Sequence, residues 1–211
     1  MTIRSAWLSL LLALAAGGAA AAEFVEGKHY FAISPAATLG TPTPGKVEVV
    51  EVFSYACGAC ASFQPEVDKW RAKAPAGAAF YYVPAAWSSN WEAFARAYYA
   101  ADAMGILLRS HRALFKAIHN DRLPIRTVDD IANWYTKFGV TKEQFLAAYG
   151  SKETDAKIAK AKALVPGWKV DSTPSLVVAG KWRITGASAG GPAQMFAIVD
   201  HLVAQELPAT R

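Results

Sequence analysis

Val50-Glu51-Val52-Phe53-Ser54-Tyr55-Ala56-Cys57-Gly58-Ala59-Cys60 is the stretch on which the reading of this 211-residue chain turns. It holds both cysteines of the chain, three positions apart. The β-branched and aromatic run before them reads as a strand, and residues 61–70 after them read as a helix. A strand passing into a helix through C-x-x-C is a redox arrangement. Residues i and i+3 share one side of a first helical turn, about 5–6 Å apart, within the span of a disulfide. The helix start turns unpaired N–H groups and the positive end of its dipole toward the first sulfur. Both favour a thiolate, the attacking and leaving group of disulfide exchange.

Other uses of two cysteines fit less well. A purely structural C-x-x-C disulfide closes too small a ring to restrain much chain entropy. A zinc site needs more ligands, yet there is no second C-x-x-C, and His29, His111, His119 and His201 are scattered through the sequence. Soft-metal carriage is poorly served by three methionines, none of them near the motif. No flavin, haem or metal motif is visible, so no cofactor is expected.

The N-terminus reads as an export signal. Arg4 provides a positive start, residues 6–16 a short apolar core, and Ala20-Ala21-Ala22 an A-x-A cleavage site before Glu23. The apolar run is short for a membrane span, so removal of 1–22 is expected, with cleavage after Ala20 as the alternative. Export places the cysteines where a disulfide persists. Loss of Arg4 lowers the formal net charge from +5 to +4. That surplus is spread out, with no basic run of the kind that binds nucleic acid.

Along the mature chain, 28–31 reads as a short strand and 34–46 as a Pro/Gly/Thr-rich connection. In the strand 47–54, Val47, Val49, Glu51 and Phe53 share one face and Glu48, Val50 and Val52 the other. Both faces are mostly apolar, as in a central strand covered on each side. Glu48 is expected to reach water near the strand start. Glu51 is expected to be buried and to titrate high, either as a proton acceptor beneath the sulfurs or as a structural carboxylate paired with Lys73 or Lys181. A helix kinked at Pro65 is expected over 57–73, then a strand over 79–83. From Trp91 to Gly167 the pattern is only helical: a stretch over 91–119 with a weak point at Gly105, then capping boxes at Thr127 and Thr141. A last helix opens at Ser151 and is expected to stop before Pro166-Gly167. Trp134 and Tyr135 read as core. Strand, tight turn at Ala179-Gly180 and strand follow over 172–184, with Pro174 at the opening, and a final helix covers 193–206.

These residues resemble the DsbA family. The resemblance rests on the leader, on Glu51-Val52-Phe53-Ser54-Tyr55 before Cys57-Gly58-Ala59-Cys60, on the helical insertion, and on Thr173-Pro174 opening the strand–turn–strand. It implies an α/β thioredoxin fold with an inserted all-helical domain: signal peptide 1–22, a discontinuous thioredoxin-like domain of 23–88 and 168–211, and an inserted helical domain of 89–167. It implies Cys57 as the exposed nucleophile, Cys60 as the resolving thiol, Glu51 buried beneath them, and a cis Pro174 facing the disulfide. Thr173 would then offer its backbone to substrate. One departure is plain: Gly58-Ala59 stands where the best-known members have Pro-His. Without that histidine the Cys57 thiolate is expected to be less favoured and the protein a milder oxidant.

The function this implies is a periplasmic, monomeric thiol:disulfide oxidoreductase that donates the Cys57–Cys60 disulfide to reduced, newly secreted polypeptides. A quinone-linked, DsbB-like membrane oxidase would restore the disulfide. Rival readings are a reductase or isomerase using the same dithiol, a peptide-binding or chaperone module with incidental cysteines, and a glutathione-conjugating relative of the same inserted architecture.

Overall fold

The computed structural model describes residues 24–40 and 43–207; the leader read at 1–22 lies outside them. Strand β1 is Phe31–Ala32, shifted from the expected 28–31, because Gly27 to Tyr30 form a turn closed by the Gly27 N–H on the Tyr30 carbonyl. Strand β2, Val47–Phe53, is buried at all seven positions. Helix α1, Gly58–Arg71, follows with Cys57 as its N-cap and Pro65 inside it, and β3 is Ala78–Pro84.

The helical region comes next. Helix α2, Ser89–Ala103, is capped by Ser88. Gly105, at φ +68°, breaks it from α3, Leu107–Phe115, whose end continues as a π-helical turn, Lys116–Asn120. The capping boxes of Thr127 and Thr141 open α4, Val128–Tyr135, and α5, Lys142–Tyr149. Trp134 and Tyr135 are buried, as core residues should be.

Helix α6, Lys152–Gly167, runs through Pro166 instead of stopping before it. Proline removes only its own N–H, and the chain recovers at once: the Trp168 N–H reaches the Leu164 carbonyl at 2.8 Å. Trp168 is fully buried and donates its indole N–H to the Ala37 carbonyl at 2.5 Å, which draws the last turn inward. Lys169, at φ +55°, then ends the helix.

Strands β4, Ser175–Val178, and β5, Trp182–Thr185, form the expected hairpin. A short α7, Gly186–Ala189, was not expected; it precedes α8, Pro192–Glu206.

The sheet order is β1-β5-β4-β2-β3. Strand β2 pairs in parallel with β3 and antiparallel with β4, which puts Glu51 opposite Tyr82 on one side and Leu176 on the other. On one face Val47, Val49, Leu176 and Val178 pack against α1 and α8, where Phe63, Phe196 and Trp70 stack at 5.3 and 5.0 Å. Val50, Val52 and Val177 join a second core shared with the helical region. Phe53, although in line with Val49 and Glu51, belongs to this second core, at the strand end where it meets Tyr98, His111 and Phe115. Glu48 does not reach water. It is 3% exposed, because residues 34–40 fold back and the Leu39 N–H donates to its carboxylate at 3.0 and 3.1 Å.

Candidate active site

The site is the joint where β2 ends and α1 begins. Ser54 is buried and turns the chain: the Cys57 N–H donates to its carbonyl at 3.0 Å, and its hydroxyl accepts the Ala56 N–H at 3.1 Å. Cys57, extended at φ −95° and ψ 112°, then caps α1, and its sulfur accepts the Cys60 N–H at 3.3 Å. The two cysteines differ sharply. Cys57 is partly exposed, whereas Cys60 is fully buried. The Cys57 thiol is lowered to about 5, first by hydrogen bonding with Cys60, then by Thr173 and by the N–H groups of Cys60 and Ala59, against the opposing effect of burial. Burial pushes the Cys60 thiol up, and the neighbouring Cys57 sulfur adds to it.

The other residues singled out in the sequence gather around this pair. The Thr173–Pro174 peptide is cis, and in its thiol form Cys57 donates to the Thr173 carbonyl at 3.5 Å. Glu51 is 1% exposed, and its Oε2 has no hydrogen-bond partner. Its pKa is raised well above the ordinary value, by desolvation first and then by the fields of Cys57 and Asp68, with Arg71 opposing. Pairing with Lys181 is not found, since Lys181 binds Glu206 at 2.6 Å. The cation whose field reaches Glu51 is Arg71, which lies over the rings of Phe80 and Tyr82.

A raised carboxyl pKa makes stability depend on pH. Between the ordinary value of 4.5 and the folded value, the folded state holds a proton that the unfolded state has released. Stability contributed by protonated Glu51 is therefore present below 4.5 and is lost as pH rises through the folded pKa. Glu51→Gln should remove that decline, leaving a flatter urea midpoint against pH than the parent chain shows. A parent curve already flat above 4.5 would contradict the buried, proton-holding carboxyl.

Two histidines that looked scattered in sequence reach the site from the helical region. His111 Nδ1 lies 2.7 Å from the Tyr55 hydroxyl, and burial lowers its pKa to about 3, which keeps the ring neutral. His119 Nε2 lies 2.8 Å from the Tyr55 carbonyl. Tyr55, two residues before Cys57, is thus held at both ends. Only long-range packing could have shown this, because the contacts span 56 and 64 residues. Among the described residues no group of three or more His, Cys, Asp or Glu is arranged to hold a metal ion.

The geometry, a helix-capping Cys57 beside the Thr173 carbonyl of a cis Thr173–Pro174 peptide, meets a consistent set of relatives. The model of the DSBA-like thioredoxin domain matches residues 76–191, the part after the cysteines. The thiol:disulfide interchange protein DsbA of Pseudomonas aeruginosa is 34% identical over 99% of this chain and 100% of its own length, cysteine segment included. The chain belongs to the DsbA family. The DsbA of Azotobacter vinelandii is 37% identical over 77% of this chain and 76% of its own length. The crystal structure of the Xylella fastidiosa oxidoreductase DsbA superposes with a TM-score of 0.81 at 35% identity, covering 86% of this chain and 97% of that one. A Pseudomonas aeruginosa DsbA point variant gives a TM-score of 0.82 at 34% identity, covering 87% and 98%. The thioredoxin fold with a helical insertion is the fold of this family, and the protein is a thiol:disulfide oxidoreductase.

Proposed function

We propose that the protein works as an oxidant of exported polypeptides, giving its Cys57–Cys60 disulfide to client thiols in the periplasm. The observation that carries this is the asymmetry of the pair: a reachable sulfur held as a thiolate next to a sealed one held as a thiol. A dithiol form stabilised in this way makes the disulfide a ready acceptor of electrons. The leader read at 1–22 and the family support the compartment. No helix of the described residues is long and apolar enough to cross a membrane.

The steps follow from the geometry. A client thiolate attacks Cys57 Sγ, the Cys57–Cys60 bond breaks, and Cys60 leaves with the electron pair. Cys60 is a poor thiolate, so it takes a proton, and Glu51, protonated through burial and within electrostatic reach of Cys60, supplies it. A second client thiolate then attacks the client sulfur of the mixed disulfide. Cys57 leaves readily, because its thiolate is the stable one. The Thr173 backbone, beside Cys57, positions the client strand. In reoxidation Glu51 acts in the reverse sense and accepts the Cys60 proton. The reoxidant is a protein that passes electrons to quinone, as a DsbB-like membrane oxidase does, and the protein acts as a monomer.

Oxidised protein mixed with a reduced, unfolded client tests the direction. The client should lose two thiols for each protein molecule, and the protein should gain two. Reduced protein that instead opens client disulfides under the same glutathione buffer would favour the reductase or isomerase reading. Glu51→Gln should slow the exchange steps that move the Cys60 proton by about 10²-fold. Its effect should be far smaller on alkylation of Cys57, which does not use that proton.

A further inference from the structure

His119 sits in the π-helical turn Lys116–Asn120, which packs on α1. A Cβ built on Gly58 would stand 3.8 Å from its Nδ1 and 3.9 Å from its Cε1, so the ring covers the first residue of the helix. Its other nitrogen, Nε2, is 2.8 Å from the Tyr55 carbonyl. A carbonyl only accepts, so Nε2 carries hydrogen in both charge states of the ring, and Nδ1 is the atom that gains or loses a proton. The titrating nitrogen therefore faces the residue that directly follows Cys57. Gly58 and Ala59 bring no polar side chain of their own, so side-chain charge acting on the Cys57 thiolate must come from another element.

We propose that His119 is a positioning residue of the redox centre: its imidazolium stabilises the Cys57 thiolate across Gly58, and the disulfide becomes a stronger oxidant as the ring takes up its proton. The proposal rests on Cys57 being the thiolate of the reduced form. The disulfide form has no charge at Cys57, so the imidazolium favours only the reduced protein. By linkage, reduction then raises the ring's affinity for a proton by the same factor. Charged groups on the surrounding elements are already engaged. Lys116 and Asp121 pair with each other at 2.6 Å. Asp68 of α1 pairs with Arg112 of α3 at 3.1 Å, and Asp171, before the cis-proline loop, pairs with Arg183 at 3.6 Å. Glu51 and His111 are buried. On α1 itself Lys69 pairs with Glu66 at 2.8 Å, so the proposal pairs the ring with the Cys57 thiolate, at the residue next to Gly58.

The test is the equilibrium constant with glutathione against pH for the parent chain, H119Q and H119A, with ultraviolet thiolate absorbance recorded for each reduced protein. Glutamine keeps a donor for the Tyr55 carbonyl but cannot be charged. H119Q should match the parent chain at alkaline pH, where the ring is neutral, and become the weaker oxidant by about 3- to 10-fold as acid protonates the ring. H119A should show the same pH-dependent loss, together with whatever the missing hydrogen bond adds at every pH. Identical pH dependence in the parent chain and H119Q overturns the proposal, even where H119A differs, because a hydrogen bond alone would then explain the residue. A parent chain without a thiolate in this range would instead refute the Cys57 reading itself.

Discussion

Cys57→Ser should abolish disulfide exchange, whereas Cys60→Ser should leave one exchange and then stop. The difference follows from the two sulfurs' surroundings. Cys57 can be reached and carries the thiolate, while Cys60 is sealed and held as a thiol. With Cys57 gone, the remaining sulfur is neither exposed nor nucleophilic, and exchange falls to that of the buffer alone. With Cys60 gone, Cys57 still attacks a disulfide, but nothing inside the protein can release the product. The client or glutathione then stays attached to Cys57, visible as an added mass that dithiothreitol removes. The rate of that single attachment should rise with pH, following the Cys57 thiolate, around a midpoint at or above the parent chain's value of about 5, since the variant replaces the Cys60 thiol that is the first cause of the lowering. Full client turnover by Cys57→Ser would mean that the cysteines are incidental and that the chain is a peptide-binding module.

Gly180→Val should be the most damaging single change away from the sulfurs. The hairpin between β4 and β5 turns through Ala179 and Gly180, closed by the Lys181 N–H on the Val178 carbonyl at 2.9 Å, and their φ of +53° and +64° are the left-handed pair that a type I′ turn requires. A Cβ on Gly180 would lie 2.1 Å from the Ala37 carbonyl oxygen and 2.5 Å from its carbon. Neither atom can yield cheaply. They belong to the backbone that the Gly180 carbonyl holds through the Ala37 N–H at 3.1 Å and that Trp168 holds through its indole. Left-handed strain of about 1–2 kcal/mol and overpacking of about 1–3 kcal/mol together give about 3 kcal/mol. A urea midpoint shift worth that much is expected, and a shift under about 1 kcal/mol would show that the turn relaxes freely.

What could be read in the sequence was local. The cap at Cys57, the capping boxes of Thr127 and Thr141 and the break at Gly105 depend on neighbours within one turn, and each stands where the residues put it. The burial of Glu51 followed from strand alternation between Val49 and Phe53. The misreadings have a common cause in distant parts of the chain. Glu48 is buried by Leu39, nine residues away, and α6 continues past Pro166 because Trp168 is fixed 131 residues away at Ala37. His111 and His119 had no local signal at all. They stand on a helical stretch read only for its apolar period, and folding carries them to Tyr55. The absence of a histidine between the cysteines pointed to a less favoured thiolate. The folded site lowers Cys57 to about 5 through Cys60, Thr173 and the start of α1, none of which needs that side chain.

The reduction potential of the Cys57–Cys60 couple, measured against glutathione buffers with free thiols counted by alkylation, tests the central claim most directly. The site described here predicts an oxidant, between about −120 mV, the established value for the family's best-known member, and about −180 mV, that of protein disulfide isomerase. A value near about −270 mV, where thioredoxin lies, would make the protein a donor of electrons and contradict the direction assigned to it.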